Sequence, residues 1–250
     1  MKKVLGIIPS RLFSSRIEKK PLKKILGIPL IIHVCKRANM SKLLNDFIVA
    51  TDSKLIFKEV KKNGYKAILT SEKHSNGTER MGEVIKKMDK YDYYTLINGD
   101  EILLNPKSLD ISIELMLKNK NIDASILAVP YSKLNSPNDF KLILNQNDEV
   151  LYISRGDIPC DARNPVEYRL KAYHLMTFKP ETIKDYCKMD KTKYELIEDH
   201  EHLRLVESGY KIKCKVVNDV CISLDCEEDL DIIIPLLKKD NFFKKYSKKV

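Results

Sequence analysis

Arg11, Arg16 and Lys20 lie within ten residues of one another, in the stretch "SRLFSSRIEKK" that follows the apolar run "VLGII". Three cations and three serines (Ser10, Ser14, Ser15) at a strand exit are suited to a polyphosphate. Backbone N–H groups at such a turn and at the next helix N-terminus add to the field. The loop has no G-x-x-x-x-G-K-[ST] and no G-x-G-x-x-G, so neither a P-loop nor a dinucleotide site is supported. A basic surface loop would explain any one of these cations; three together favour a phosphate site. "INGDE" puts Asp100 and Glu101 straight after another apolar run, and "CISLD" ends a third on Asp225. Carboxylates facing a phosphate pocket are natural if Mg²⁺ lies between them, because Mg²⁺ takes one or two carboxylates and then water and phosphate oxygens. The plainer alternatives are a turn aspartate for Asp100 and a helix-start acid for Asp225. "HSNGTER" supplies Asn76 and Gly77, a turn pair that lets backbone approach a base or phosphate, then Thr78 as a helix cap and Arg80. His200 and His202, read as i and i+2 of one helix, point to different faces and do not share a metal ion. His33, among apolar neighbours, reads as a packed core histidine.

These residues need a scaffold that collects them. The first half alternates short apolar runs with helical periodicity. Strands are expected at 4–10, 47–52, 66–71, 93–99 and 124–131, and helices at 28–40, 53–64, 78–88 and 108–119. Gly64 is placed to close the second helix. Continuous apolar strands alternating with helices argue for an α/β fold with a mostly parallel sheet and helices on both faces. In such sheets ligands bind beyond the carboxyl ends of the strands, where the residues above fall. From 140 to 178 the pattern turns antiparallel: "NQND" between two alternating runs is a hairpin signal, and 168–178 reads as a further strand. The expected organisation is a nucleotide-binding core over 1–139, a smaller antiparallel insertion or lid over 140–178 on the acceptor or dimer side, and completion of the core over 179–250, all one structural unit. Helices are expected at 180–189, 193–209 and 227–239, and a strand at 210–217.

Composition narrows the class. The net charge of +10 is compatible with nucleic acid or with an anionic small substrate. Much of the excess sits in lysine-rich stretches such as "LLKKDNFFKKYSKKV", which read as solvated helix surface. There is no Trp and no interleaving of aromatic and basic residues to stack single strands, so no nucleic-acid partner is expected. No run is long enough for a membrane span. The apolar run in "MKKVLGIIPSR" stops too soon for a signal peptide, so a cytoplasmic location is expected. None of the six cysteines forms a C-x-x-C pair, and they read as reduced structural thiols.

Taken in order, these motifs resemble the CMP-Kdo synthetases (3-deoxy-manno-octulosonate cytidylyltransferases), whose opening pattern is I-P-A-R-x-x-S-T/S-R-L-P-G-K-P-L. "IVATDS", "HSNGTERMGEVI", "NGDE", "SRGDIP", "EDHEHLR" and "LDCEEDL" follow in the family's order across nearly the whole chain. The resemblance implies a Rossmann-like nucleotidyltransferase fold, a homodimer, and Mg²⁺ as cofactor. It also implies the reaction of CTP with a small sugar acid to give a CMP-sugar acid and pyrophosphate. Carried over, Arg11, Arg16, Lys20 and Asp100 would act at the triphosphate. Ser10, Asn76, Gly77, Thr78, Arg80 and Asn98 would line the nucleotide site, and Asp100 and Asp225 would bind the metal. Arg155, Arg169, Lys171, Glu201 and His202 would meet the anionic acceptor. Departures gather on the acceptor side. Asn98 stands for a glutamine, L-E-Q-L-R reads "HEHLR", and Lys171 and Ala172 stand where arginine and histidine are expected. Lys19 replaces a turn glycine. These changes point to Kdo, a modified Kdo or another small acid as acceptor. A nucleotide-binding protein without catalysis is the contrasting reading.

Overall fold

The computed structural model describes residues 2–13 and 16–247; Ser14 and Ser15 of the basic loop lie outside them. The strands are β1 (Val4–Ser10), β2 (Lys24–Ile25), β3 (Ile28–Pro29), β4 (Asp46–Thr51), β5 (Ala67–Leu69), β6 (Tyr93–Ile97), β7 (Ala124–Tyr131), β8 (Lys141–Leu144), β9 (Val150–Ser154), β10 (Arg169–Phe178) and β11 (Ile212–Val216). The helices are α1 (Leu30–Ala38), α2 (Lys54–Lys62), α3 (Gly77–Lys87), α4 (Pro106–Lys118), α5 (Pro180–Tyr186), α6 (Lys193–Glu198), α7 (Leu203–Glu207), α8 (Asp229–Lys239) and α9 (Asn241–Ser247).

The main sheet runs β11-β7-β10-β6-β1-β4-β5. The pairs β1–β4, β1–β6, β4–β5 and β7–β11 are parallel, while β10 is antiparallel to both β6 and β7. Both faces are covered. Ile56, Val60, Leu109, Ile113, Ile233 and Phe243 from α2, α4, α8 and α9 share one core. Met81, Val84, Ile85, Ile183 and Leu205 from α3, α5 and α7 share the other.

The sequence leads one to expect 140–178 as an insertion, and here the structure differs. Only the β8–β9 hairpin is peripheral, attached through Leu142 and Lys141 to the start of β10. β10 itself is central. Tyr173 and Leu175 enter one core, and Ala172, Met176 and Phe178 enter the other. A strand buried on both faces has its place set by long-range packing, which the local pattern does not show.

Three further differences have local causes. The helix expected over 193–209 breaks at Asp199, which is left-handed with φ 49°, so α6 and α7 are separate and residues 199–202 form a link. Asn76, not Thr78, caps α3: its side chain accepts from the backbone N–H of Glu79 at 2.8 Å. The lysine-rich tail carries α9, which buries Phe243 and Tyr246. The Tyr246 hydroxyl lies 2.8 Å from Nδ1 of His33, which is fully buried as expected of a core histidine. All six cysteines are free.

Candidate active site

Parallel pairing brings the ends of β1, β4 and β6 to one edge, with Ser10 opposite Thr51 and Ile7 opposite Leu96. The loop after β6 is pressed against β1. A Cβ on Gly99 would stand 2.8 Å from the carbonyl oxygen of Pro9, so glycine lets Asn98 and Asp100 sit over the strand end. Two adjoining cavities open there. One, of about 440 Å³, is lined by Ser10, Arg11, Lys20, Gly77 and Arg80. The other, of about 670 Å³, takes in Glu101, Asp139, Lys171, Glu201 and His202. Arg16, Ser75, Asn76, Asn98, Asp100 and Asp225 line both.

At this junction two carboxylates far apart in sequence close on one cation. Lys20 Nζ lies 2.7 Å from Asp100 Oδ2 and 3.5 Å from Asp225 Oδ1, and Arg16 reaches the same Asp225 oxygen at 3.3 Å. The ammonium shows that both carboxylates can serve one cationic point. Among the described residues, no group of three or more His, Cys, Asp or Glu is placed to hold a metal ion. The donor set is therefore two carboxylates open to a cavity, which fits Mg²⁺ completed by water and phosphate oxygens. In the smaller cavity Ser10 is buried and its Oγ has no hydrogen-bond partner. A dry hydroxyl costs about 1–3 kcal/mol, and a phosphate or ribose oxygen would satisfy it.

Two expected nucleotide residues hold other groups in place. Arg80, 4% exposed, lines the cavity, but its guanidinium is committed to Asp52 at 2.7 Å and to Thr70 Oγ1 at 2.6 Å. Thr78 is fully buried and donates to Glu201 Oε1 at 2.8 Å.

On the acceptor side the expected cations divide. Lys171 lines the larger cavity but is tied to the Asp139 carboxylate and, at 3.0 Å, to the carbonyl of Cys221. Burial alone would raise Asp139; Lys171 and the Ser136 and Tyr131 hydroxyls outweigh it and hold that acid down at about 2. Arg155 and Arg169 are not among the cavity's lining residues. The Arg155 guanidinium stacks on Phe140, 4.3 Å from its ring centroid, and donates to the carbonyls of Pro137 and Glu198. It is a clamp between the loop after β7 and the α6–α7 link. Arg169 is 7% exposed, with Asp161 at 3.5 Å. Arg155, just after β9, is spent on backbone carbonyls and Phe140, while Arg169, at the start of β10, is buried beside Asp161 and its Nε has no hydrogen-bond partner.

Burial raises two acids of the larger cavity. Glu101, 2% exposed, is raised to about 7 by burial and then by Asp100; it accepts from Ser223 at 2.8 Å. Glu201 is also raised to about 7, by burial. Three members of this cavity had no local signal as site residues. Asp139 and Lys133 come from the loop after β7, and His174 faces in from β10.

Residues 5–216 match the family model described as Cytidylyltransferase. The 3-deoxy-manno-octulosonate cytidylyltransferase of Fusobacterium nucleatum is 38% identical over 242 residues, covering 96% of this chain and 98% of that protein. The enzyme of that name from Protochlamydia amoebophila is 31% identical over 249 residues, 96% of each. Among solved structures, CMP:2-keto-3-deoxy-manno-octonic acid synthetase complexed with CTP superposes with a TM-score of 0.90 at 28% identity. It covers 95% of this chain and 99% of that one.

Proposed function

The chain belongs to the cytidylyltransferase family, alongside the 3-deoxy-manno-octulosonate cytidylyltransferases, and from that premise we propose that it transfers CMP from CTP to a 3-deoxy-octulosonate-type sugar acid. One observation carries this reading: a cavity rich in cations and a cavity rich in acids and hydroxyls meet at Asp100, Asp225, Arg16 and Asn98. A phosphorus atom at that junction would be reachable from both sides.

In the proposed reaction a hydroxyl oxygen of the acid attacks the α-phosphorus. The bond from that phosphorus to the bridging oxygen of the β-phosphate breaks, pyrophosphate leaves, and the hydroxyl proton is released. Arg11, Arg16 and Lys20 hold the triphosphate and offset charge that grows on its oxygens. Removing one such donor typically costs about 3 kcal/mol of barrier, roughly a hundredfold in rate. Ser10, Asn76 and Gly77 line the nucleotide's place, while Arg80 keeps the segment before α3 against Asp52 and Thr70. Mg²⁺, held by Asp100 and Asp225, would neutralise phosphate charge and orient reacting oxygens. Lys20, now paired with both carboxylates, would turn to the phosphates. Positioning and charge do most of this work, since the protein makes no covalent bond. We further propose that the enzyme works as a homodimer in the cytoplasm. Among the described residues no helix is long and apolar enough to cross a membrane.

Incubation of the protein with CTP, Mg²⁺ and a panel of sugar acids, with pyrophosphate and nucleotide products measured, tests the reading. Equimolar pyrophosphate and CMP-sugar acid are expected with at least one octulosonate. CTP left intact with every acid, or another nucleotide used in preference, would overturn it.

A further inference from the structure

Ser75 and Asn76 line both cavities, yet the groups that fix their side chains belong to other elements. Asn76 Oδ1 accepts from the backbone N–H of Glu79 at 2.8 Å, as the cap of α3. That bond decides which way the amide faces. Its Nδ2 then donates to the hydroxyl of Tyr186 at 2.9 Å, a partner 110 residues further along the chain. Tyr186 ends α5. It is fully buried and is not among the lining residues of either cavity, so it can reach a ligand only through another side chain.

We propose that Tyr186 is a positioning residue for the nucleotide: its hydroxyl holds the Asn76 amide so that the second Nδ2 proton faces the junction of the cavities as a hydrogen-bond donor to CTP. This rests on the preceding reading of the site.

The tyrosine is itself fixed. The Arg204 guanidinium lies over its ring, 4.1 Å from the centroid, a cation–π contact. Arg204 is 3% exposed. Two of its nitrogens grip the Glu195 carboxylate at 2.7 and 2.6 Å, and the third donates to the carbonyls of Tyr186 and Met189, each at 3.3 Å. Ring and backbone of Tyr186 therefore meet one rigid group, and the hydroxyl oxygen stays at one point. Ser75 is fixed in a similar way. Its backbone N–H and its hydroxyl donate to the Glu79 carboxylate at 2.8 and 2.9 Å, and that carboxylate lies 3.8 Å from Arg204.

The remaining valence selects the ligand chemistry. A primary amide has one accepting oxygen and two N–H donors. The helix cap uses the oxygen and Tyr186 uses one donor; among the described residues the other donor has no partner. It stands at the N-terminus of an 11-residue helix, where the helix field favours negative charge. A phosphate or base oxygen of a nucleotide matches it, and a cation does not. The cap alone leaves the amide able to rock about χ2, a broad torsion for asparagine. The bond to Tyr186 removes that motion before the ligand arrives, so less entropy is lost on binding.

The test is a double-mutant cycle. Tyr186→Phe removes one oxygen and keeps the ring under Arg204. Its Kd for CTP with Mg²⁺, measured by calorimetry, is expected to rise about fivefold, the scale of one neutral hydrogen bond. Its KM for 3-deoxy-manno-octulosonate should be unchanged. Asn76→Ser keeps a helix cap but has no amide for the tyrosine to hold, so adding Tyr186→Phe to it should leave the Kd for CTP where Asn76→Ser alone puts it. An unchanged Kd in the single variant, an equal rise with and without Asn76, or an equal rise in the KM of the acid would overturn the proposal. The unsubstituted protein gives a readout that no folding defect can disturb. The side-chain ¹H–¹⁵N signals of Asn76 should shift when CTP binds, and unmoved signals would also overturn it. If the unsubstituted protein binds no CTP, the functional reading falls first and takes this one with it.

Discussion

Lys141 is a buried cation behind Asp139 and Phe140, which line the larger cavity. It is fully buried, and its three ammonium protons go to three backbone carbonyls: Ser136 at 2.9 Å, Asp139 at 2.8 Å and Arg155 at 2.7 Å. The Asp157 carboxylate is 3.4 Å away. Lys141→Met keeps length and volume but leaves those carbonyls unpaired. Hydrogen bonds from an ionised donor contribute about 1.5–3 kcal/mol each, so three are worth roughly 4–9 kcal/mol. Against this, the variant no longer desolvates an ammonium, which costs several kcal/mol per ion. The net expectation is a loss of about 3 kcal/mol. With a urea m-value of ~2 kcal/mol/M, the unfolding midpoint should fall by ~1.5 M. The loss should also reach the chemistry. The loop pinned by Lys141 carries Asp139, and Asp139 holds Lys171 in the cavity. The acceptor KM is therefore expected to rise severalfold while the CTP KM stays put. A stability loss under ~1 kcal/mol would show that water replaces the ammonium at little cost, and the pinning role would be wrong.

Two smaller perturbations probe other links. Glu201 is raised by burial from 4.5 to about 7, so its contribution to stability is complete below about pH 4.5 and is lost as pH rises through 7. Glu201→Gln stays neutral and still accepts from Thr78. Between pH 5 and 8 its unfolding free energy, from urea titrations, should decline less than that of the unsubstituted protein, by no more than ~1.4 kcal/mol per pH unit at the steepest; parallel curves would count against the buried-acid account, with Glu101 cancelling in the comparison. Ser10→Ala removes a buried hydroxyl that has no partner. Its Tm should hold or rise slightly while CTP binding, followed by calorimetry, weakens about tenfold. A fall in Tm would mean that the hydroxyl is already satisfied in the free protein.

The nucleotide half was legible for a physical reason. Residues at the ends of adjacent parallel strands meet because register brings the ends together, so Ser10, Asn98 and Asp100 could be placed from strand positions alone. Lys20 followed, since only a few residues separate it from β1. The acceptor half depends on contacts that no local pattern encodes. β10 alternates between two cores, so its central position could not be told from that of an outer strand. Asp199 is an ordinary residue in an ordinary helical pattern, yet its left-handed backbone turns His200 and His202 into one cluster. Arg155 and Arg169 looked available because sequence shows charge and not partners. In the fold, backbone carbonyls and Phe140 occupy the first, and Asp161 lies beside the second.

That loss of two cations is consistent with the chemistry of a 2-ulosonic acid. In such an acid the hydroxyl that attacks phosphorus and the carboxylate sit on neighbouring carbons. In the proposed reaction the carboxylate would lie at the junction of the cavities, beside Arg16, and not at the far end near the β8–β9 hairpin. What remains for the far end is a neutral chain of hydroxyls. The Arg155 guanidinium beside that end is spent on backbone carbonyls and on the Asp199 carboxylate at 3.0 Å, and the cavity end presents imidazoles that burial keeps neutral. In the proposed reaction Arg11, Arg16 and Lys20 would hold the phosphates and the acid group, with Lys171 in the larger cavity already neutralised by Asp139.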